Sequence, residues 1–400
     1  MSEKLRVLMI SEYPFSDKEQ GRGGILQSTF HLIEGFNDLG ALPLDLHLIS
    51  QTPACNRYES RLLDGVTLHF VPRGEGELDK FLINPLRLFI SFLTLRQSLR
   101  PHIVHGQGSP IAILLSQYFG RKNIQTIHGI YRNEQLMLPR DGVSVGRRIR
   151  MRINEMVERH YLRKVQNLIS ITSEIRRLVD SATIGRARIF PSYIAIDPVF
   201  FRTVDRCARN PRDDFVILFV AAITPRKGLH FLLDAFEKLY LDFPGIKLRI
   251  VGMWDWAPDY VAELHTQYRV LITLGRLVFT GGVGRDQLFE EYANADLFVL
   301  PSLSESAPAV VSQAMCMSLP LIATRVGGVP EMVDDNVTGL LVEPGSAAAI
   351  ERALRSLLED PVARSRLAEA ARKTALNRYL PRAVAATTLD AYKAAVSDSP

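Results

Sequence analysis

The sequence predicts an α/β protein built of two doubly wound domains in tandem. Its length points to more than one core: 400 residues divide naturally into two domains of about 200 each. Short apolar runs alternate with longer segments of helical period, the pattern of repeated βα units and a parallel sheet. That alternation runs through the first half, lapses, and then restarts.

In the first half the runs 5–11 (LRVLMIS), 42–50, 66–71, 102–105, 123–128 and 167–172 read as strands, most of them separated by helical segments. The stretch 190–214 has three prolines and weak periodicity, and reads as the interdomain connection. The second series of strands follows at 214–223, 246–252, 276–281, 295–301, 319–324 and 338–344. The expected division is a first domain over 1–200, a second over 201–380, and a last helix over 381–400 free to pack back on the first domain. No short repeat, low-complexity tract or heptad pattern interrupts it.

Composition excludes several classes. The chain is 47% apolar and 23% charged, as an ordinary globular protein is. Cys55, Cys207 and Cys316 form no CxxC pair, which argues against a disulfide framework or structural zinc and fits a reducing compartment. The opening MSEKLRVLMIS lacks the apolar region and cleavage site of a signal peptide. The most apolar window, 81–95, contains Arg87 and is too short to span a bilayer. A cytoplasmic protein is expected. Charge is uneven, however: residues 121–190 hold 15 Lys and Arg against 6 Asp and Glu. Such a segment suits an anionic lipid surface or a phosphorylated substrate. Nucleic acid is not expected, because nothing resembles a base-reading module.

In doubly wound sheets ligands lie beyond the carboxyl ends of the strands, so the informative residues are those just after strands. After the first strand comes Gly21-Arg22-Gly23-Gly24, then an amphipathic helix; glycines there let backbone amides approach a phosphate at the helix N-terminus. The spacing is neither GxGxxG nor a Walker loop, which removes support for nicotinamide or ATPase chemistry. The second domain opens in the same way, with Thr224-Pro225-Arg226-Lys227-Gly228 before a helix. Arg226 and Lys227 there suit phosphate oxygens. The run SESAPAVVSQAM (304–315) places Glu305 in a loop, Pro308 at the first helical position and Gln313 two turns inside, with Val310, Val311, Ala314 and Met315 toward the core. A carboxylate, free amides near Ala307 and Ala309, and a side-chain amide together suit the hydroxyls, diphosphate and ribose of a sugar nucleotide.

At this point the chain resembles a known family. PSLSESAPAVVSQAMCMSLPLIATRVGGVPEMVDDNVTGLLVEPGS (301–346) looks like the signature of family 4 retaining glycosyltransferases, and TPRKG (224–228), FTGGVGRDQL (279–288), GRGG (21–24) and TIHG (126–129) support the likeness. The resemblance implies the GT-B fold, two Rossmann-like domains facing a central cleft. It also implies hexosyl transfer from a nucleotide-sugar, UDP- or GDP-linked, with retention and without a metal or other cofactor. No Asp-x-Asp occurs in the chain. By position, Glu305 would touch the donor sugar's hydroxyls, Gln313 the ribose, and Lys227 the diphosphate, assisted by amides around Ala307 and Ala309. Backbone near Gly282 and Val283 would meet the base, His128 the donor sugar near the reacting carbon, and Gly23 and Gly24 the phosphate and acceptor.

Two departures stand out. The family usually has glutamate where this chain has Gln313, and often Gly-Arg where it has Ala221-Ala222. A neutral hydrogen-bond partner is typically weaker than a charged one by about 1 kcal/mol. For the acceptor side, Gly146–Lys164 forms a basic helix with Ile149, Ile153, Met156, Val157 and Tyr161 on one stripe. Such a stripe ordinarily faces a core. Arg147, Arg148, Arg150 and Arg152, aided by 81–95, would otherwise touch the inner membrane or a lipid-linked acceptor. A glycan or lipid-linked acceptor in bacterial polysaccharide or glycolipid synthesis is the expectation. A silent sugar-nucleotide-binding subunit and a GT-B epimerase are the alternatives.

Overall fold

The computed structural model describes residues 4–16, 24–40, 44–63, 65–118, 122–129, 145–203 and 214–397, at 81 and 145–151 by backbone alone. The chain forms two compact units, Met1–Ile196 with Tyr379–Pro400, and Asp197–Arg378.

In the first unit the strands are β1 (Leu5–Ile10), β2 (Leu44–Thr52), β3 (Glu59–Leu63), β4 (Val66–Pro72), β5 (Ile103–Gln107), β6 (Asn123–Ile127), β7 (Asn167–Ser170) and β8 (Arg188–Pro191). They make one sheet in the order β3-β4-β2-β1-β5-β6-β7-β8. All neighbours are parallel except β3, which runs antiparallel to β4. Helices α1 (Gly24–Asn37), α2 (Asn84–Leu99), α3 (Pro110–Gln117), α4 (Val145–Leu162) and α5 (Ser173–Thr183) connect them. β5, β6 and β7 are buried at every position, as parallel strands covered on both faces must be.

The strands β3 and β8 were not legible as apolar runs. Both are sheet edges, the first mostly exposed and the second only partly buried, so neither needs an uninterrupted apolar pattern. The last helix, Pro381–Ser397, belongs to this unit. It lies so close to α1 that a β-carbon on Gly35 would come within 2.1 Å of the Pro381 carbonyl oxygen. Its Tyr392 is fully buried beside Phe36.

The second unit holds β9 (Phe215–Val220), β10 (Ile246–Val251), β11 (Leu277–Gly281), β12 (Leu297–Leu300), β13 (Leu321–Thr324) and β14 (Leu340–Val342). Every pairing is parallel and the order is β11-β10-β9-β12-β13-β14. The helices are α6 (Leu229–Asp242), α7 (Pro258–Gln267), α8 (Arg269–Thr273), α9 (Arg285–Ala293), α10 (Ala309–Cys316), α11 (Val329–Met332), α12 (Ala347–Glu359) and α13 (Pro361–Arg378). α6 buries Leu229, Leu232, Leu233, Phe236 and Leu239, one face at helical spacing against β9 and β10.

Both sheets have a point where the strand order reverses, between β1 and β5 in the first unit and between β9 and β12 in the second. In open α/β sheets the crevice outside the carboxyl ends at that point is where ligands bind. No described helix is long and apolar enough to cross a membrane.

Candidate active site

At the reversal point of the second unit, the loops leaving β9 and β12 press together. Gly228 ends the short turn Pro225–Lys227 with φ +67, and a β-carbon there would lie 2.1 Å from the Pro301 carbonyl oxygen. Glycine alone tolerates both the left-handed conformation and the close approach. The consequence is a part-buried ion pair: Lys227 Nζ lies 2.6 Å from Glu305 Oε1, their side chains 14% and 7% exposed. Ser302 Oγ donates to the same carboxylate oxygen at 2.7 Å. Arg226 serves differently from a free phosphate ligand. Its Nη1 donates to the Ser304 carbonyl at 2.8 Å, while Leu303 N donates to the Arg226 carbonyl, so it braces the loop that carries Glu305.

Helix α10 starts one residue later than expected. Pro308 is its extended N-cap residue (φ −69, ψ 111) and accepts from Val311 N, rather than standing at the first helical position. Its first amides, including that of Ala309, have no carbonyl partner within the helix, as at any helix N-terminus. Ala307 precedes them in the loop. Val311, Ala314 and Met315 are fully buried, whereas Val310 is part-buried and gives its carbonyl to Tyr292. The same Tyr292 hydroxyl lies 3.1 Å from Gln313 Oε1, so the residue that departs from the family pattern is held by a buried phenol. Burial pushes that phenol far above its ordinary range. Gly282 and Val283 follow β11, and Met253 occupies the space a side chain on Gly282 would need.

In the first unit the carboxyl ends of β1, β5 and β6 carry a second cluster. Ser11 Oγ is 2.7 Å from Thr29 Oγ1, and Thr29 donates to the Ile25 carbonyl inside α1. Gln107, 2% exposed, donates from Nε2 to Thr29 Oγ1 at 3.3 Å and reaches His128 Nε2 at 3.1 Å. A donor at Nε2 assigns the imidazole proton to Nδ1. Desolvation lowers the His128 pKa from 6.5 to about 4, so the ring is neutral at physiological pH. Behind it, fully buried His105 is clamped between the Tyr392 hydroxyl (2.7 Å) and Thr126 Oγ1 (2.8 Å). Burial and then the neighbouring His128 bring its pKa down to about 3.

Of the other expected residues, Gly24 opens α1, while Gly23 lies outside the described residues, as do the side chains of Arg147, Arg148 and Arg150. Arg152 is exposed on α4. The expected stripe on that helix is not a uniform core face: Tyr161 is buried, but Ile153 and Met156 are 46% and 66% exposed, and Glu158 is buried instead. Sequence reasoning passed over Ser302, Tyr292, Gln107 and Thr29. Ser302 and Gln107 could have been flagged as polar residues at strand ends; Thr29 and Tyr292 gave no such signal.

Comparison with known proteins decides the family. Residues 202–374 match the family model "Glycosyl transferases group 1", and residues 22–199 match "Glycosyltransferase Family 4". The chain belongs to glycosyltransferase family 4. An uncharacterized glycosyltransferase of Methanocaldococcus jannaschii is 32% identical over 184 residues, 46% of this chain and 46% of that relative. The match thus spans about half of that relative's length. The glycogen synthase of Mycobacterium tuberculosis is 29% identical over 310 residues, 75% of this chain and 70% of its own. Among solved structures, sucrose-phosphate synthase from Thermosynechococcus elongatus superposes with a TM-score of 0.77 at 19% identity, covering 99% of this chain and 100% of its own. The fold of this family 4 glycosyltransferase is therefore GT-B, with two parallel-sheet domains.

Proposed function

We propose that this glycosyltransferase moves a hexose from a nucleoside-diphosphate sugar to a glycan or lipid-linked acceptor, with retention at the anomeric carbon and without a metal. The observation that carries the reading is the Lys227–Glu305 pair at the reversal point of the second sheet. One cation and one carboxylate, fixed side by side, suit a ligand that offers a diphosphate next to a polyol. On this reading the diphosphate takes Lys227, and Glu305 turns to sugar hydroxyls. As the glycosidic bond to the donor lengthens, negative charge grows on the leaving phosphate, where Lys227 and the first amides of α10 stabilise it. The acceptor enters on the face that the diphosphate leaves, and that phosphate takes the acceptor's proton. No side chain is assigned as general base. Neutral His128, held by Gln107, contributes a hydrogen bond near the sugar rather than a charge.

A membrane-side acceptor is supported by exposed apolar residues of the first unit. Leu78, Leu82, Leu86 and Ile90 recur every four residues along α2 and the turn before it and are 51–65% exposed. Ile153 and Met156, also exposed, follow Arg152 on α4. Large exposed apolar patches mark interaction surfaces. Such contact fits peripheral association of a cytoplasmic enzyme with the inner membrane and a place in bacterial polysaccharide or glycolipid synthesis.

The test follows the product. With each donor and a panel of glycan and glycolipid acceptors, the anomeric proton of the first product is read by NMR. An α-linked donor is expected to give an α-linked product; a β-linked product contradicts retention. A silent binding subunit is the second reading, favoured by Gln313. If Gln313→Glu creates turnover where the native chain has none with any acceptor, that reading replaces the first.

A further inference from the structure

The chain contains two tryptophans, Trp254 and Trp256, and both stand in the short loop between β10 and α7. They are 37% and 73% exposed, and adjacent Met253 is 50% exposed. Among the described residues of the second unit, every other phenylalanine, tyrosine and tryptophan is buried or part-buried. An indole left in solvent forgoes the burial that aromatic side chains normally obtain, so a pair of them in one loop is a candidate contact surface.

The loop is held in place. Gly252 N donates to the Gly281 carbonyl at 2.9 Å, and Ile223 N donates to the Met253 carbonyl at 2.8 Å. At Gly252 (φ +155) a β-carbon would lie 1.7 Å from the Ala221 carbonyl oxygen, so the loops after β9 and β10 touch backbone to backbone. The indole of Trp254 rests on the end of β11: a β-carbon on Gly281 would be 3.4 Å from its Cη2 and 3.7 Å from its Cζ3. The benzenoid edge is therefore seated on glycine backbone, while Trp254 as a whole keeps 37% of its surface in solvent. The loops after these three strands leave the carboxyl edge of the sheet, and the first of them runs from Ile223 directly into the Lys227 turn.

We infer that Trp254 is the stacking platform for the nucleobase of the donor, an affinity-determining residue of the site. The inference rests on the nucleotide-sugar reading given above. With the diphosphate at Lys227, the base lies along the same edge toward β10 and β11. There it meets an aromatic face beside the backbone amides and carbonyls of Gly281–Val283. Stacking accepts any base, because every base has a π face, and selection among bases then falls to those backbone groups.

The position of the two tryptophans supplies the test. In Trp256→Phe the entire tryptophan emission comes from Trp254. UDP, GDP or ADP is expected to change that emission, whereas inorganic pyrophosphate, which lacks a base, leaves it unchanged. Trp254→Ala is expected to weaken nucleoside-diphosphate binding by about ten- to a hundredfold. Pyrophosphate affinity stays within about twofold, and Trp254→Phe restores most of the loss. Calorimetry on the native chain separates the two levels of the account. If the native chain binds no nucleoside diphosphate, the donor reading falls and the platform with it. If it binds one and both Trp254 variants bind as tightly, the platform inference fails while the donor reading stands. An emission change produced by a nucleotide-free oligosaccharide, and not by nucleotides, assigns the ring to the acceptor and overturns the inference.

Discussion

Lys227 and Glu305 neutralise each other in the unliganded site, so their substitutions should separate binding from chemistry. Lys227→Ala removes the cation and is expected to weaken nucleoside-diphosphate binding by about ten- to a hundredfold, the range of a hydrogen bond to a charged group. Glu305→Gln is isosteric and still accepts from Ser302. It should leave nucleotide affinity within about threefold while lowering sugar release at least a hundredfold. Calorimetry and a coupled nucleotide assay read the two effects. Gln313→Glu is expected to tighten nucleotide binding about fivefold, since a carboxylate still accepts from Tyr292 and offers a ribose hydroxyl a charged partner. An unchanged or weaker affinity would detach Gln313 from the ribose. The partners of these residues were harder to read than the residues themselves. Glu305 and Lys227 stand out in sequence because polar groups after strands of a parallel sheet meet ligand. Ser302, Tyr292 and Gln107 act through contacts with residues 3 to 21 positions away, visible only once the loops are folded.

Among the elements, glycine contacts govern the site in the second unit and helix packing in the first. Gly228→Ala places a methyl group against the Pro301 carbonyl and strains the left-handed turn, so the Lys227 and Glu305 loops must part. The variant should lose nucleotide affinity as Lys227→Ala does; native affinity would show that the close approach is dispensable. Gly35→Ala should instead destabilise the first unit by several kcal/mol, since a backbone carbonyl of the last helix blocks the new methyl. Urea unfolding followed by hydrogen exchange in α1 and the last helix checks this. Every strand expected from an apolar run forms, because strands covered on both faces need continuous hydrophobicity. The edges β3 and β8 escaped because exposed or short strands carry no such demand. The α4 stripe misled for the converse reason: helical spacing marks one face, but does not say whether that face meets protein or solvent.

For the whole molecule, acid sensitivity should be concentrated in the first unit. His69 and His128 have pKa values lowered from 6.5 to about 4, and His105 to about 3, with burial the leading cause in each. The unfolded chain takes up these protons below about 6.5, while the folded chain does so only near 3–4. Stability is therefore level above about pH 6.5 and falls as pH drops toward 4. A drop in the first unit's Tm of roughly 5–10 °C between pH 7.5 and 4.5 is expected from calorimetry. A flat profile would show these imidazoles to be solvated. The family 4 assignment, and with it the GT-B fold, was legible in the sequence through the resemblance of the 301–346 run, and the two doubly wound domains through the repeated βα pattern. Donor and acceptor were not, because none of the recognised motifs distinguishes one base, sugar or acceptor from another.

The central claim is that the Lys227–Glu305 site takes a nucleoside-diphosphate sugar and breaks its anomeric bond. It is tested most directly by following nucleotide release from UDP-, GDP- and ADP-sugars, with the native protein and Glu305→Ala side by side and glycan and glycolipid acceptors present. The account predicts release from one donor class by the native protein and at least a hundredfold less by the variant. Equal release by both would contradict it, as would release from no donor with any acceptor.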